Sequence, residues 1–259
     1  MKQTLRRGLA LACAFAAALI SAGAGARTLA EVHSLGAISM CAHPDALPYA
    51  SKNPEAPGIQ VEMGRAIAAG LGVALNTEWV VPRRRVAAAN CDLLFDSIND
   101  PGIYERPPLL SRPYQKSGLA LGLSRGAEPV GHFRELKKGQ KIGVMVNSVA
   151  SVVLGKAGVT TSPYAFQSDM LEDLEKGELY GAAVSAASMS YHIFRHPDSG
   201  LKLVNAFDGE PDLTWEVSVG LRRSDQALLD AVNQVLERML ADGTVSRIYA
   251  RYGVEHRAP

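Results

Sequence analysis

The sequence predicts an α/β fold in two lobes, each a mostly parallel sheet flanked by helices, with two hinge strands joining them. Three observations lead there. Short β-rich runs alternate with helical segments from Leu35 onward; the alternation is carried through twice; and no Pro-rich or Ser-rich linker separates the two blocks. The 259 residues, 47% hydrophobic and 20% charged, suffice for one large or two modest domains with real cores.

In the first block, Ala37 to Cys41 reads as a strand that runs into the loop His43 to Tyr49. Ile59, Met63, Ala66, Ile67 and Leu71 fall at helical spacing between Gly58 and Gly72. A strand over 74–80, a short helix over 82–90 and a strand over 92–98 complete a right-handed β-α-β-α-β unit. In the second block, strands are expected at 118–123, 141–146, 163–166, 181–185 and 202–207. Between them come helical segments at 133–138, 148–156, 169–176 and 188–196, the last ended by Pro197. Trp215 to Leu221 returns as a strand, and a long amphipathic helix carries Leu228, Val232, Val235, Leu236 and Met239, capped by Ser224 or Asp225. Asp242-Gly243 breaks it before a last helix to Tyr252.

These boundaries give a leader at 1–26, a first lobe from 27–117 plus 214–259, and a second lobe at 118–213. If the C-terminal helix packs back on the first lobe, the chain crosses twice, near Ser117 and near Leu213, and the two crossing strands form a hinge. Ligands of such sheets sit beyond the carboxyl ends of the strands, so the cleft between lobes is the expected site.

Lys2, Arg6 and Arg7 precede the apolar run Leu9 to Ile20, and the small residues Ala24 and Ala26 follow at the positions a signal peptidase inspects. The run is too short for a spanning helix, and no later stretch reaches the length a span needs. Cleavage after Ala26 removes three basic and no acidic residues, taking the formal net charge from +1 to −2. The balance excludes a basic field for nucleic acid. Cys13 lies inside the apolar run and is followed by further apolar residues, which argues against a lipid anchor there. Cys41 and Cys91 remain, an even number in an oxidising compartment, so a disulfide is the default reading. The competing reading makes Cys41 a nucleophile beside His43.

Several segments then carry a resemblance. Cys41 to Tyr49, Gly58 to Leu71, Ser111 to Tyr114, Lys141 to Val144 and Leu240 to Gly253 resemble, in order and spacing, the family 3 periplasmic solute-binding proteins. The first-strand Cys, the Leu-Pro-aromatic loop, Trp79 to Arg84, Asn90-Cys91-Asp92 and Ser-Arg-Pro-Tyr are similar to the MxaJ/XoxJ-type branch associated with quinoprotein methanol dehydrogenases. The resemblance implies a periplasmic-binding-protein-like clamshell that closes on a small polar molecule in the periplasm and delivers it to an inner-membrane ABC permease. The alternative it implies is a non-transport accessory of a periplasmic quinoprotein dehydrogenase. It implies a monomer with no cofactor.

The amino-acid-binding members hold the α-carboxylate with an Arg of the first lobe, a role Arg106 takes at a shorter spacing from Ser111 to Tyr114. They hold the α-amino group with an Asp, but Ala186 stands in that place with Ser185 beside it. A buried ammonium needs a counter-charge, so an ordinary α-amino acid is disfavoured. Asn147 and Ser148 replace the family's Gly-Thr or Gly-Ser pair at a helix amino terminus, where Ser148 also serves as a plain cap.

Read from the residues themselves, Asp96, Ser97 and Asn99 follow a strand and project into the cleft, although Asn99 to Gly102 is also a turn sequence. His43, Asp45 and Tyr49 sit on the first loop, where an aromatic beside polar groups suits a binding wall. Arg83 to Arg85 reads as a solvated charge run or as an anion contact. His192 and His196 share a helix face as metal ligands do, but no third ligand stands at useful spacing, so no metal is expected. No nucleophile elbow, P-loop or zinc-protease pattern occurs, and catalysis is not expected.

Overall fold

A computed structural model describes residues 27–81, 89, 91–222 and 224–259. The leader, the Arg83 to Arg85 run, Asn90 and the bulk of the helix expected over 82–90 lie outside the described residues.

The chain opens with α1 (Leu29–Leu35), which the sequence reading did not anticipate. Its seven residues bury only Val32, too little for a periodic apolar signal, and a reciprocal Thr28–Glu31 capping box starts it. Then follow β1 (Ala37–Ala42), the two-residue strands β2 (Asp45–Ala46) and β3 (Ala50–Ser51), α2 (Ile59–Gly70), β4 (Ala74–Trp79), β5 (Leu93–Ile98) and β6 (Leu109–Leu110). Next come β7 (Gln115–Leu123), β8 (Ile142–Met145), α3 (Val149–Lys156), β9 (Thr161–Tyr164), α4 (Gln167–Glu175), β10 (Gly181–Ser185), α5 (Ala186–Arg195) and β11 (Lys202–Val204). β12 (Thr214–Leu221), α6 (Gln226–Ala241) and α7 (Thr244–Ala250) end the chain, with α6 capped by Asp225, whose side chain accepts from Leu228 N–H.

The strands form one large mixed sheet in the order β4-β1-β5-β12-β7-β10-β8-β9, with β6 on β12 and β11 on β7. Parallel pairing, as the strand–helix alternation predicts, holds for β4-β1-β5 and for β10-β8-β9. The strands that pass between the two halves run antiparallel to their neighbours, so neither half is purely parallel. β7 is shared: Gln115 to Gly118 pair with β12, and Leu119 to Leu123 pair with β10. Where β7 changes partner, a side chain on Gly118 would meet the Leu213 carbonyl oxygen at 2.7 Å.

The apolar side chains divide in the same way. One cluster is built from residues 32–114 and 217–254, and two others from residues 121–213. A buried carboxylate stitches the first half: Asp92 Oδ2 accepts from Ser39 N–H and Ser39 Oγ and pairs with Arg27, each at 2.8 Å. Beside it Cys41 and Cys91 form a disulfide, which leaves no thiol for the nucleophile reading.

Several boundaries move. β9 sits two residues earlier than expected, and Pro163 is tolerated in it because β9 is an edge strand pairing only with β8. α5 begins directly at the end of β10 rather than at Ser188, because Ser185 is both the last strand residue and the helix cap. The helical turn expected at 133–138 is a 3-10 turn, Phe133–Glu135. The strand expected to run to Phe207 stops at Val204, and Phe207 instead packs on Phe133 with ring centres 5.6 Å apart. Among the described residues no helix is long and apolar enough to cross a membrane.

Candidate ligand-binding site

Beyond the carboxyl ends of β1 and β5 lies a cavity of about 610 Å³. Its polar lining comes from His43, Tyr49, Gln60, Asp96, Ser97 and Tyr104, and its apolar wall includes Val80, Phe95, Ile98 and Ile103.

A backbone irregularity places the central carboxylate. In the β5–β12 ladder Ser97 faces Ser218 and Leu94 faces Gly220, so Phe95 and Asp96 together oppose Val219 alone. This bulge puts Asp96 at φ 63°, a left-handed conformation that Asp accepts more readily than most residues. The carboxylate turns toward Gln60, whose amide nitrogen donates to it. Gln60 is the second residue of α2, held in place from the loop before it: the N–H groups of Ile59 and Gln60 donate to the carbonyls of Pro48 and Tyr49 at 2.8 Å. That loop approaches so closely that a Cβ on Gly58, at φ 93°, would lie 2.5 Å from the Tyr49 carbonyl oxygen.

Tyr49 closes the cavity toward the second half. Its hydroxyl lies 2.5 Å from Ser185 Oγ, at the start of α5. Burial first, and the Asp96 charge next, push the Tyr49 hydroxyl up to about 12. Burial likewise raises Tyr114 and Tyr249 well above the ordinary phenol value, with Asp96 adding to both. The Asp96 charge thus bears on three phenols, all of which keep their protons at neutral pH.

The expected site residues separate on this geometry. His43, Tyr49, Asp96 and Ser97 line the cavity. His43 is exposed at its mouth, its Nδ1 accepting from Asp45 N–H at 3.1 Å, while Asp45 itself stands in β2 outside the lining. Ser97 is buried and donates to the Leu94 carbonyl. Ser185 reaches the site through Tyr49 and also caps α5, accepting from Ser188 N–H at 3.2 Å.

Four further residues stand outside the cavity lining. Asn99 reaches across to β12: its N–H donates to the Glu216 carbonyl at 2.9 Å and its side-chain amide to the Glu216 carboxylate at 3.3 Å. Arg106 is exposed and is not among the lining residues. Asn147 is exposed at φ 56° in the turn before α3. Ser148 caps α3 by accepting from Ser151 N–H at 3.2 Å. Gln60 and Tyr104 were not legible from the sequence. Gln60 hides within an apolar helix pattern, and Tyr104, whose hydroxyl donates to the Ile98 carbonyl at 3.1 Å, sits in a segment without periodicity.

The family model for bacterial extracellular solute-binding proteins, family 3, matches residues 38–255. A "Probable histidine-binding protein" of Neisseria gonorrhoeae is 24% identical over 147 residues, which is 55% of this chain and 53% of that relative. The chain therefore matches about half the length of that relative. Among solved structures, an "Ancestral Cationic Amino Acid Solute Binding Protein (AncCDT-1)" superposes with TM-score 0.73 at 18% identity, over 86% of this chain and 98% of that one. MxaJ from Methlophaga aminisulfidivorans MPT superposes with TM-score 0.69 at 20% identity, over 85% of this chain and 100% of that one.

Proposed function

We infer the function from family membership and site geometry together: the chain belongs to the bacterial extracellular solute-binding proteins, family 3. It works as a periplasmic binding protein that closes on a small polar molecule and presents it to an inner-membrane ABC permease, by hinge motion rather than catalysis. The lobes are 27–117 plus 214–259 and 118–213, with the hinge where β7 and β12 cross, a division supported by the separate apolar clusters.

One observation carries the choice of ligand. The bulge aims the Asp96 carboxylate into the cavity, where Tyr49 and Tyr104 offer phenol rings. Such a site favours a small cationic ligand, an amine with an apolar portion, through charge pairing and aromatic contact.

The test is a thermal-shift and calorimetric screen of the mature, oxidised protein against small amines, amino acids and carboxylates. A ligand at 100 times its dissociation constant stabilises by roughly 2.7 kcal/mol. Amines that raise the melting temperature in the wild type but not in Asp96→Asn support the assignment, and a response to carboxylates alone overturns it.

A second reading, an accessory protein of a quinoprotein dehydrogenase system, is favoured by Ala186, which begins α5 where amino-acid-binding relatives are expected to hold a carboxylate. A screen flat for every small molecule, with a shift on adding the purified dehydrogenase, would transfer the assignment to it.

A further inference from the structure

On the second half, among residues that do not line the cavity, three potential metal ligands converge. Glu175 is the last residue of α4, His192 lies in the last turn of α5, and His196 caps α5. Glu175 Oε1 lies 2.7 Å from His192 Nε2 and 2.9 Å from His196 Nδ1. The candidate ligand atoms of all three lie within 4.8 Å of one another. With metal–ligand bonds of about 2.0 Å, ligand atoms on a tetrahedral ion stand about 3.3 Å apart, so small side-chain rotations would seat one.

The two helix ends supply a reason for a cation there. α4 and α5 both terminate at this spot, and each C-terminus carries the negative end of its helix dipole. A carboxylate at such an end is unfavourable by itself, and here one side-chain oxygen is shared by two imidazoles. His192 is the more sheltered, with 17% of its side chain exposed, and His196 is open at 51%, which leaves a face of the cluster toward solvent. Of the nearby cations, Lys176 is drawn away by its pairing with Glu172.

We propose that Glu175, His192 and His196 form a binding site for one divalent transition-metal ion of the zinc type, with its remaining coordination position filled by water. Two imidazoles and one carboxylate suit zinc, copper, nickel or cobalt and disfavour magnesium or calcium. The ion would tie the ends of α4 and α5 together. None of the three residues lines the ligand cavity.

The experiment titrates the untagged, oxidised chain with Zn²⁺ against a chromophoric chelator, and with Co²⁺ by visible absorption. One ion per chain and an intense Co²⁺ spectrum of low coordination number are expected. His192→Ala and His196→Ala should each weaken Zn²⁺ binding by more than about 10-fold, since even outer partners of metal ligands cost 10–100-fold. Glu175→Gln should weaken it in the same direction. Zn²⁺ affinity unchanged in the His192→Ala/His196→Ala double variant would overturn the proposal. So would the weak spectrum of hydrated octahedral Co²⁺ with the wild type, a readout that needs no variant to fold.

Discussion

The corner after β1 and the corner after β8 each follow a parallel strand and lead toward a helix, yet they are built in opposite ways. The first is fixed by the Cys41–Cys91 disulfide and the β2–β3 hairpin, with loop carbonyls seated on the start of α2. It carries His43, Tyr49 and Gln60 to the cavity. The second is a turn through Asn147 whose neighbours Val146, Val149 and Val152 are exposed, and its serine only caps α3. The difference teaches that strand-end position alone does not make a binding corner. The cavity-lining groups gather where the backbone is tied down, and the other half contributes a contact to Tyr49 through Ser185.

The largest test of that contrast removes the tie. Cys41 and Cys91 are 50 residues apart in sequence. Replacing both by Ser should cost about 4 kcal/mol in the chain-entropy account, read as a lower denaturant midpoint. A midpoint equal to that of the oxidised wild type would show that the first corner is held by packing alone.

Alkaline pH probes the phenol ring of the first half. Tyr49 ionises at about 10 in the unfolded chain and at about 12 in the folded one. Its folded value is raised, so its contribution is fully present below pH 10 and is lost as pH climbs toward 12. Stability should fall by roughly 2 kcal/mol across that window from this group. Chemical denaturation at several pH values should show a shallower decline in Tyr49→Phe, and identical declines would break the link.

Asp96 and Asn147 both occupy left-handed backbone, one in each half, and so make a matched pair. Asp96→Asn keeps a residue suited to that conformation and removes the charge. It should reduce amine affinity more than about 10-fold, close to 1.4 kcal/mol, with little change in stability. Asn147→Ala should do the reverse, costing about 1 kcal/mol of stability through backbone strain while calorimetric affinity holds. If Asn147→Ala also weakened ligand binding, the second corner would have to join the site.

The smallest effect concerns the contact between halves. Tyr49→Phe removes the hydrogen bond to Ser185, worth about 1 kcal/mol, and should shift the ligand-free protein toward open forms with a larger radius in small-angle scattering.

Much of the fold was legible because it rests on period and punctuation. The apolar spacing from Ile59 to Leu71 and from Leu228 to Met239 placed α2 and α6, and alternation placed β1, β5, β10 and β12. Short elements escaped: α1 and the hairpin strands β2 and β3 bury too few residues to leave a pattern. For the site, the end of β5 pointed to Asp96 and Asn99 and the loop aromatic to Tyr49, whereas Arg106 rested on a family resemblance; Asp96 and Tyr49 line the cavity, while Asn99 bonds to Glu216 and Arg106 is exposed outside the lining.

The sequence by itself determined the alternating α/β order, the cysteine pair and the family, because each is written in local periodicity or in residue identity along one segment. Only the tertiary structure decided that β7 is shared by both halves, that a bulge turns Asp96 into a cavity with Gln60 and Tyr104, and that Glu175 meets His192 and His196. Those facts depend on register and on helix ends meeting across the fold, and a ladder slip or a 17-residue separation leaves no periodic trace in one chain.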